Sequence, residues 1–291
     1  MKRKLIILSL FLFAFISLNA QQNVTKLVSS TNTETVLTFT LDSYDLQTVT
    51  TNQGDAVIIK AENSSALLNA EVPELARFTE SIIIPDKAHM KVEIISSTFV
   101  ELDEEILVAP SKGNLTRDID PATVPYTFGK VYQENAFFPG KIADLGSPYI
   151  ARDFRGQSVH IYPFQYNPVT KKLRVYTEIT VKITPTGSIG ENVFNRTNSL
   201  ESVEKEFNEI YTNHFINYDN LHRYTPVEEE GRMLVICYDD WTSEMQPFVD
   251  WKNTIGRPCE MVTVSEAGGS AAAIKTYVEN YYNDPEGLTY L

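Results

Sequence analysis

Leu221-His222-Arg223-Tyr224-Thr225-Pro226-Val227-Glu228-Glu229-Glu230-Gly231 separates two regions built on different periodicities. Upstream, short period-two runs broken by Pro, Gly and Asn dominate, which is the pattern of strands and turns. Downstream, Met233–Tyr238 opens a strand-helix-strand-helix pattern. Arg223 stands alone in a polar linker that carries a proline. Such a segment is open to a protease that cuts after arginine. The chain therefore reads as a precursor: leader (1–20), propeptide (21–223), a cleavage bond between Arg223 and Tyr224, and the first part of an enzyme domain (224–291).

Working upstream, Leu173-Arg174-Val175-Tyr176-Thr177-Glu178-Ile179-Thr180-Val181-Lys182-Ile183 alternates throughout. Leu173, Val175, Thr177, Ile179, Val181 and Ile183 share one face, and Arg174, Tyr176, Glu178, Thr180 and Lys182 the other. That is an antiparallel strand with one wet side. Ser158–Phe164 reads as its hairpin partner across an Asn167-Pro168-Val169-Thr170 turn, where the preset φ of proline fits. Thr35–Leu41, Ala56–Lys60, Val92–Ile95 and Phe99–Val108 add further short strands. Together they predict an all-β domain of β-sandwich or jelly-roll type. Asn198 with Glu201 resembles a capped helix start. From there Leu200, Val203, Phe207, Ile210, Tyr211 and Phe215 fall on one helical face, to be buried on the propeptide's own sheet or on the enzyme domain.

Downstream, Met233–Cys237 is nearly all apolar, as a parallel strand covered on both faces requires. Ser243–Ile255 reads as a helix with Phe248, Val249 and Ile255 inward and Gly256 at its C-cap. Met261–Val264, a helix over Ala271–Tyr282 capped by Ser270, and Leu288–Leu291 complete a β-α-β-α-β order. This implies the start of a parallel α/β sheet, and the reading takes the chain as a truncated part of a longer precursor.

The N-terminus has the three parts of a secretory signal. Lys2-Arg3-Lys4 is the basic region, Ile6–Leu18 the apolar one, and Leu18-Asn19-Ala20 the cleavage tripeptide. The apolar run is shorter than the ~20 residues a membrane span needs. An exported, extracellular or cell-surface product with no membrane span follows. The formal net charge of −13 argues against nucleic acid or anionic lipid as a partner. A hydrophobic content of 43% excludes intrinsic disorder.

No GxSxG, HExxH, phosphate-binding loop or GxGxxG occurs. His89, His160, His214 and His222 are scattered, with His160 read as structural and His214 as solvated. Cys237, at the C-terminal end of a parallel strand, lies where open α/β sheets place their chemistry. With no basic partner nearby in sequence, it reads instead as a core thiol. Cys259 could reach it to form a disulfide, which spacing alone does not establish. The acidic runs Glu101–Glu105 and Glu228–Glu230 lack an ordered calcium-loop pattern and read as solvated.

The segment Tyr224–Ile236 with Phe248-Val249-Asp250-Trp251-Lys252-Asn253 resembles the start of mature arginine-specific gingipains, secreted cysteine endopeptidases of the caspase-like clan. Asp120–Tyr126, Phe137-Phe138-Pro139-Gly140 and Gln165–Thr170 resemble the gingipain propeptide. The resemblance implies a caspase-like domain after the junction and cleavage after arginine by a Cys/His pair. It also implies a propeptide that helps folding and inhibits its own peptidase domain. None of His222, Cys237 or Cys259 stands in the context of the family's catalytic pair, so no catalytic residue is assigned in this chain. Calcium, implied for the full-length peptidase domain, is not placed on any residue here. An inhibitor of an arginine-specific enzyme would present an arginine, and Arg117 in Lys112-Gly113-Asn114-Leu115-Thr116-Arg117-Asp118-Ile119-Asp120-Pro121 is the candidate. Arg152 and Arg155 are the alternatives. A lysine-specific or sortase-like relative and a non-enzymatic secreted β-sandwich adhesin or inhibitor remain as rival readings.

Overall fold

The computed structural model describes residues 24–196, 200, 203–221, 226–227, 232–284 and 287–291. These described residues divide into two compact units, one within 24–80, 88–148 and 157–191, the other within 81–87, 149–156 and the described part of 192–291.

Antiparallel strands build the first unit. Val24–Ser30, Thr35–Thr40, Lys172–Ile189 and Phe164–Asn167 follow one another in a sheet, and Ala88–Glu101 also pairs with Lys172–Ile189. A second sheet runs Ser65–Ala66, Ala76–Ile83, Phe154–Ile161, Ala143–Leu145. Inward residues of the two sheets interdigitate: the Phe39 and Phe78 rings lie 4.6 Å apart, and Leu37, Val159, Leu173, Ile179 and Val181 are at most 1% exposed. Each such side chain contributes about 1.5–3 kcal/mol on leaving water. The expected all-β sandwich architecture is therefore present.

Three local expectations need correction. The partner of Leu173 in the hairpin is Tyr166, in the short strand Phe164–Asn167, while Ser158–Ile161 lies in the other sheet. Pro163 separates the two strands, consistent with its missing N–H donor. The Asn167 side chain closes the turn by accepting from the Val169 and Thr170 amides. Tyr176, assigned to the wet face, is buried because the Phe99 ring covers it at 5.2 Å. The ladder slips next to it, between Tyr176 and Glu178, leaving Thr177 as the extra residue of a bulge. The strand Ala88–Glu101 ends at the first residue of the acidic run, and Leu102–Val108 forms no strand of its own, held to its neighbours by single bonds and a bridge between Val108 and Val57.

The second unit holds two small cores. In the first, helix α1 (Lys205–His214) and the four-residue helix α2 (Tyr218–Leu221) bury Tyr211, Phe215 and Tyr218 with Val203 against Ile83 and Phe154. Gly156 permits this approach, since a Cβ there would lie 2.6 Å from the Phe215 ring and 2.7 Å from that of Tyr149. Asn217, fully buried, accepts from the Ile83 amide at 2.8 Å and donates to the Ile83 carbonyl at 3.0 Å, completing the backbone pairing of that residue. The helix starts later than expected. Asn198 and Glu201 lie outside the described residues, and Val203–Glu204 instead pairs in parallel with Pro226–Val227. Ile210, placed on the inward face, is 54% exposed.

The second core belongs to a parallel sheet of order Cys259–Thr263, Arg232–Cys237, Leu288–Tyr290. Helix α3 (Thr242–Thr254) follows the central strand, and helix α4 (Ala271–Tyr282) follows its neighbour. Ile274, Tyr277, Val278 and Tyr281 of α4 cover Leu234 and Val262. Ser270 caps α4 by accepting from the Ala273 amide, as its position implied. On α3 only Val249 is buried, while Phe248 and Ile255 are 36% and 49% exposed, contrary to their expected inward placement. The order is the parallel β-α-β-α-β arrangement expected at the start of a caspase-like domain.

Candidate functional site

Arg223 and Tyr224, the residues of the expected processing bond, lie outside the described residues, as do His222 and Glu228–Glu230. Their flanks are described. Val203 lies opposite Pro226 and Glu204 opposite Val227, so the backbone on the two sides of the junction is joined by a short parallel ladder. Just beyond it, the first turn of α1 meets the α/β segment. Arg257 donates to Glu206 at 2.7 Å, and the Phe207 ring lies 6.2 Å from that of Tyr290. On its other side Phe207 carries the Arg152 guanidinium at 3.8 Å, and Arg152 donates to Glu204 at 3.0 Å. The sequence suggested two possible destinations for this helix, and it touches both. The periodicity identified the apolar face but not Glu206 or Arg257, because an ion pair between elements leaves no local pattern.

Glu206 and Arg257 keep 45% and 36% of their side-chain area exposed, so water screens the pair. A double-mutant cycle with Glu206→Ala and Arg257→Ala, read by chemical denaturation, should give a coupling below about 1 kcal/mol. A coupling of several kcal/mol would show that the pair is a principal tie rather than one of several.

Arg117 sits in a tight turn in which the Ile119 amide donates to the Thr116 carbonyl at 3.1 Å. The Thr116 hydroxyl beside Asp118 holds that carboxyl below its usual range. Asp120 then caps a short 3-10 helix, accepting from the Ala122 amide at 2.9 Å. Lys112 fastens the base of the loop, donating to the Pro121 carbonyl at 2.7 Å and lying 4.3 Å from the centre of the Tyr126 ring. The Arg117 side chain is exposed, and no hydrogen bond or ion pair holds it among the described residues. A tethered base and a free cation at the tip suit insertion into an acidic pocket, because less entropy is lost on docking.

The two alternatives to Arg117 are engaged elsewhere. Arg152 makes the contacts to Glu204 and Phe207 given above. Arg155 is wholly buried and donates to the Pro85 carbonyl at 2.8 Å and the Asn192 carbonyl at 3.0 Å. Burial pulls its pKa down against the opposing pull of Asp86.

Cys237 is buried and donates to the Tyr238 carbonyl. Cys259 faces Met233 across the ladder, whereas Cys237 faces Thr263. At ~3.3 Å per residue the two cysteines are separated by about 13 Å along the strands. That exceeds the ~7 Å Cα limit for a disulfide, and both thiols are free. His89, His160 and His214 pair with Thr186, Thr79 and Tyr149. The bond from His214 to the Tyr149 hydroxyl, at 2.8 Å, gives a side chain expected to be merely solvated a specific partner. Among the described residues no three His, Cys, Asp or Glu side chains converge.

Comparison with known proteins agrees with this organisation. The family model Propeptide_C25 matches residues 16–222, and that of Peptidase family C25 matches residues 227–291. Gingipain R1 of Porphyromonas gingivalis is 39% identical over 279 residues, covering 94% of this chain. Gingipain R2 of the same organism is 37% identical over 271 residues, covering 91%. The chain spans only 28% of gingipain R1 and 36% of gingipain R2. Among solved structures, the complex of Porphyromonas gingivalis RgpB pro- and mature domains matches with a TM-score of 0.61 at 37% identity. That match covers 67% of this chain and 97% of the other. A structure addressing zymogenic latency of gingipain K from the same organism matches in fold, with a TM-score of 0.50 at 19% identity, covering 59% of this chain and 97% of the other. The propeptide model alone spans well over half of the chain, so the protein belongs to the C25 propeptide family and continues into Peptidase family C25, as the N-terminal part of a gingipain-R-like precursor.

Proposed function

We propose that this chain is the latency and folding region, with the start of the peptidase domain, of an exported cysteine endopeptidase that cuts after arginine. One observation carries the reading. The propeptide match ends at residue 222 and the peptidase match begins at residue 227, so the gap between them holds Arg223 and Tyr224. Arginine specificity rests on the 37–39% identity to gingipains R1 and R2, while the likeness to gingipain K supports the fold alone.

In the reaction proposed for the whole enzyme, a cysteine thiolate attacks the carbonyl carbon of the arginine and a histidine protonates the leaving amine of the next residue. Backbone amides hold the oxyanion. No such pair is assigned to the residues described here. The propeptide's part is to bind its own peptidase domain, with Arg117 as the residue offered to the specificity pocket. The complex of Porphyromonas gingivalis RgpB pro- and mature domains supports that partnership by analogy. Export through residues 1–20 to the extracellular space or cell surface, and calcium in the rest of the peptidase domain, belong to the same proposal. No described helix is long and apolar enough to cross a membrane.

N-terminal sequencing of the processed peptidase should return Tyr-Thr-Pro-Val, and Arg223→Gln should prevent that cut. Another N-terminus, or full activity with the Arg223–Tyr224 bond intact, would remove this bond from maturation.

A further inference from the structure

The first unit contains a cavity of about 450 Å³ whose composition neither inhibition nor processing explains. Leu67, Leu68, Phe138 and Tyr162 give it apolar walls, and Arg77 and Lys141 line it as cations. The two cations differ in state. Lys141 is ion-paired with Asp144. Among the described residues no hydrogen bond or ion pair reaches the Arg77 guanidinium, and its Nε is buried without a partner. Its neighbour His160 supplies no negative charge. Burial, and then the Arg77 charge, hold the His160 pKa below its ordinary value, and its Nδ1 is already engaged with Thr79 at 3.1 Å.

A guanidinium carries five donors in a planar fork that matches the two oxygens of a carboxylate. A half-buried one without an acceptor is costly, and an incoming anion would offset that cost. Pockets of a few hundred Å³ with apolar walls and few polar groups suit small organic ligands, because the walls supply affinity and the polar group orientation. Leu67 and Tyr162 are 8% and 6% exposed, whereas Leu68 is 51% exposed and stands at the mouth.

We infer that this cavity is a binding site for a small organic carboxylate with an apolar body, held by Arg77 through its acid group and by Leu67, Phe138 and Tyr162 through its hydrocarbon. The site is independent of the Arg117 loop and of the junction.

The test is calorimetric titration of the full secreted chain with 3-phenylpropionate, 3-phenylpropylamine and acetate. The carboxylate with the ring should bind, and the amine and acetate at least tenfold more weakly. Arg77→Gln should weaken 3-phenylpropionate at least tenfold at an unchanged unfolding temperature, and Arg77→Lys severalfold, because the charge remains without the fork. Should Arg77→Gln fail to fold, Arg77→Lys and the narrowing variant Leu68→Trp carry the test, each expected to weaken binding. Equal binding of amine and carboxylate, or undiminished binding in the Arg77 variants, would overturn the proposal.

Discussion

Replacing Arg155 by leucine should lower stability by about 2–4 kcal/mol, a large effect for a single site. The side chain has no exposed area and satisfies the Pro85 and Asn192 carbonyls. Leucine removes both donors; the Pro85 carbonyl is half-buried and that of Asn192 belongs to an exposed residue, so their loss falls toward the lower end of the about 1–3 kcal/mol that an unpaired acceptor costs. It also fails to fill the volume of the guanidinium, which adds a cavity cost. Arg155→Lys keeps the charge but not the fork, so it should recover only part of the loss. The Asp86 carboxylate is not stranded by either change, because Arg196 donates to both its oxygens. Chemical denaturation followed by circular dichroism reads the effect. A loss under 1 kcal/mol would mean that water replaces the guanidinium at those carbonyls. Arg155→Ala is for the same reason unsuitable as a test of this alternative inhibitory residue, since it would disturb the fold itself.

Arg155 also shows where local pattern ceased to be informative. Leu173–Ile183 could be read because one face is wet, so burial alternates with sequence. Phe154-Arg155-Gly156-Gln157 is buried at four successive positions, and period two vanishes when both faces are covered. Ser158–Ile161 does alternate, yet alternation marks a strand without naming the strand it pairs with, so its sheet was not legible. At α1 the difficulty was of another kind. Val203 fits the helical face by spacing, yet it pairs with Pro226, more than twenty residues away along the chain, and no periodicity registers such a partner. The parallel order after residue 232 could be read because each strand and helix announces itself through composition and caps. The outward placement of Phe248 and Ile255 could not, since an apolar residue on a helix gives no sign of whether a neighbour covers it. At the candidate inhibitory loop, Gly, Pro and Asp marked an exposed turn and placed Arg117 on it. The Lys112 tether was invisible, being a side-chain bond to a distant carbonyl.

Arg117→Ala should weaken inhibition of the mature family peptidase by the purified chain on the order of thirtyfold, the loss typical of a central hot-spot arginine. The argument runs from presentation to energy. The Thr116–Ile119 turn and the Lys112 anchor restrict the loop before binding, so most of the attraction between the guanidinium and an acidic pocket remains as affinity. Nothing in the described structure competes for Arg117, so its removal costs the fold little and acts on binding. Arg117→Lys should fall between, because a point charge cannot make the paired bonds of a guanidinium to a carboxylate. Lys130→Ala, at another exposed cation of the same unit, should leave inhibition unchanged and thereby control for general charge. Lys112→Ala should weaken inhibition less than Arg117→Ala by loosening the loop, and its effect should vanish when Arg117 is already alanine. That non-additivity separates a positioning lysine from one that meets the enzyme directly. An inhibition constant unmoved by Arg117→Ala would take this arginine out of the mechanism. Arg152, tied to Glu204 and Phe207, would then be the next to examine, through a variant that spares those contacts.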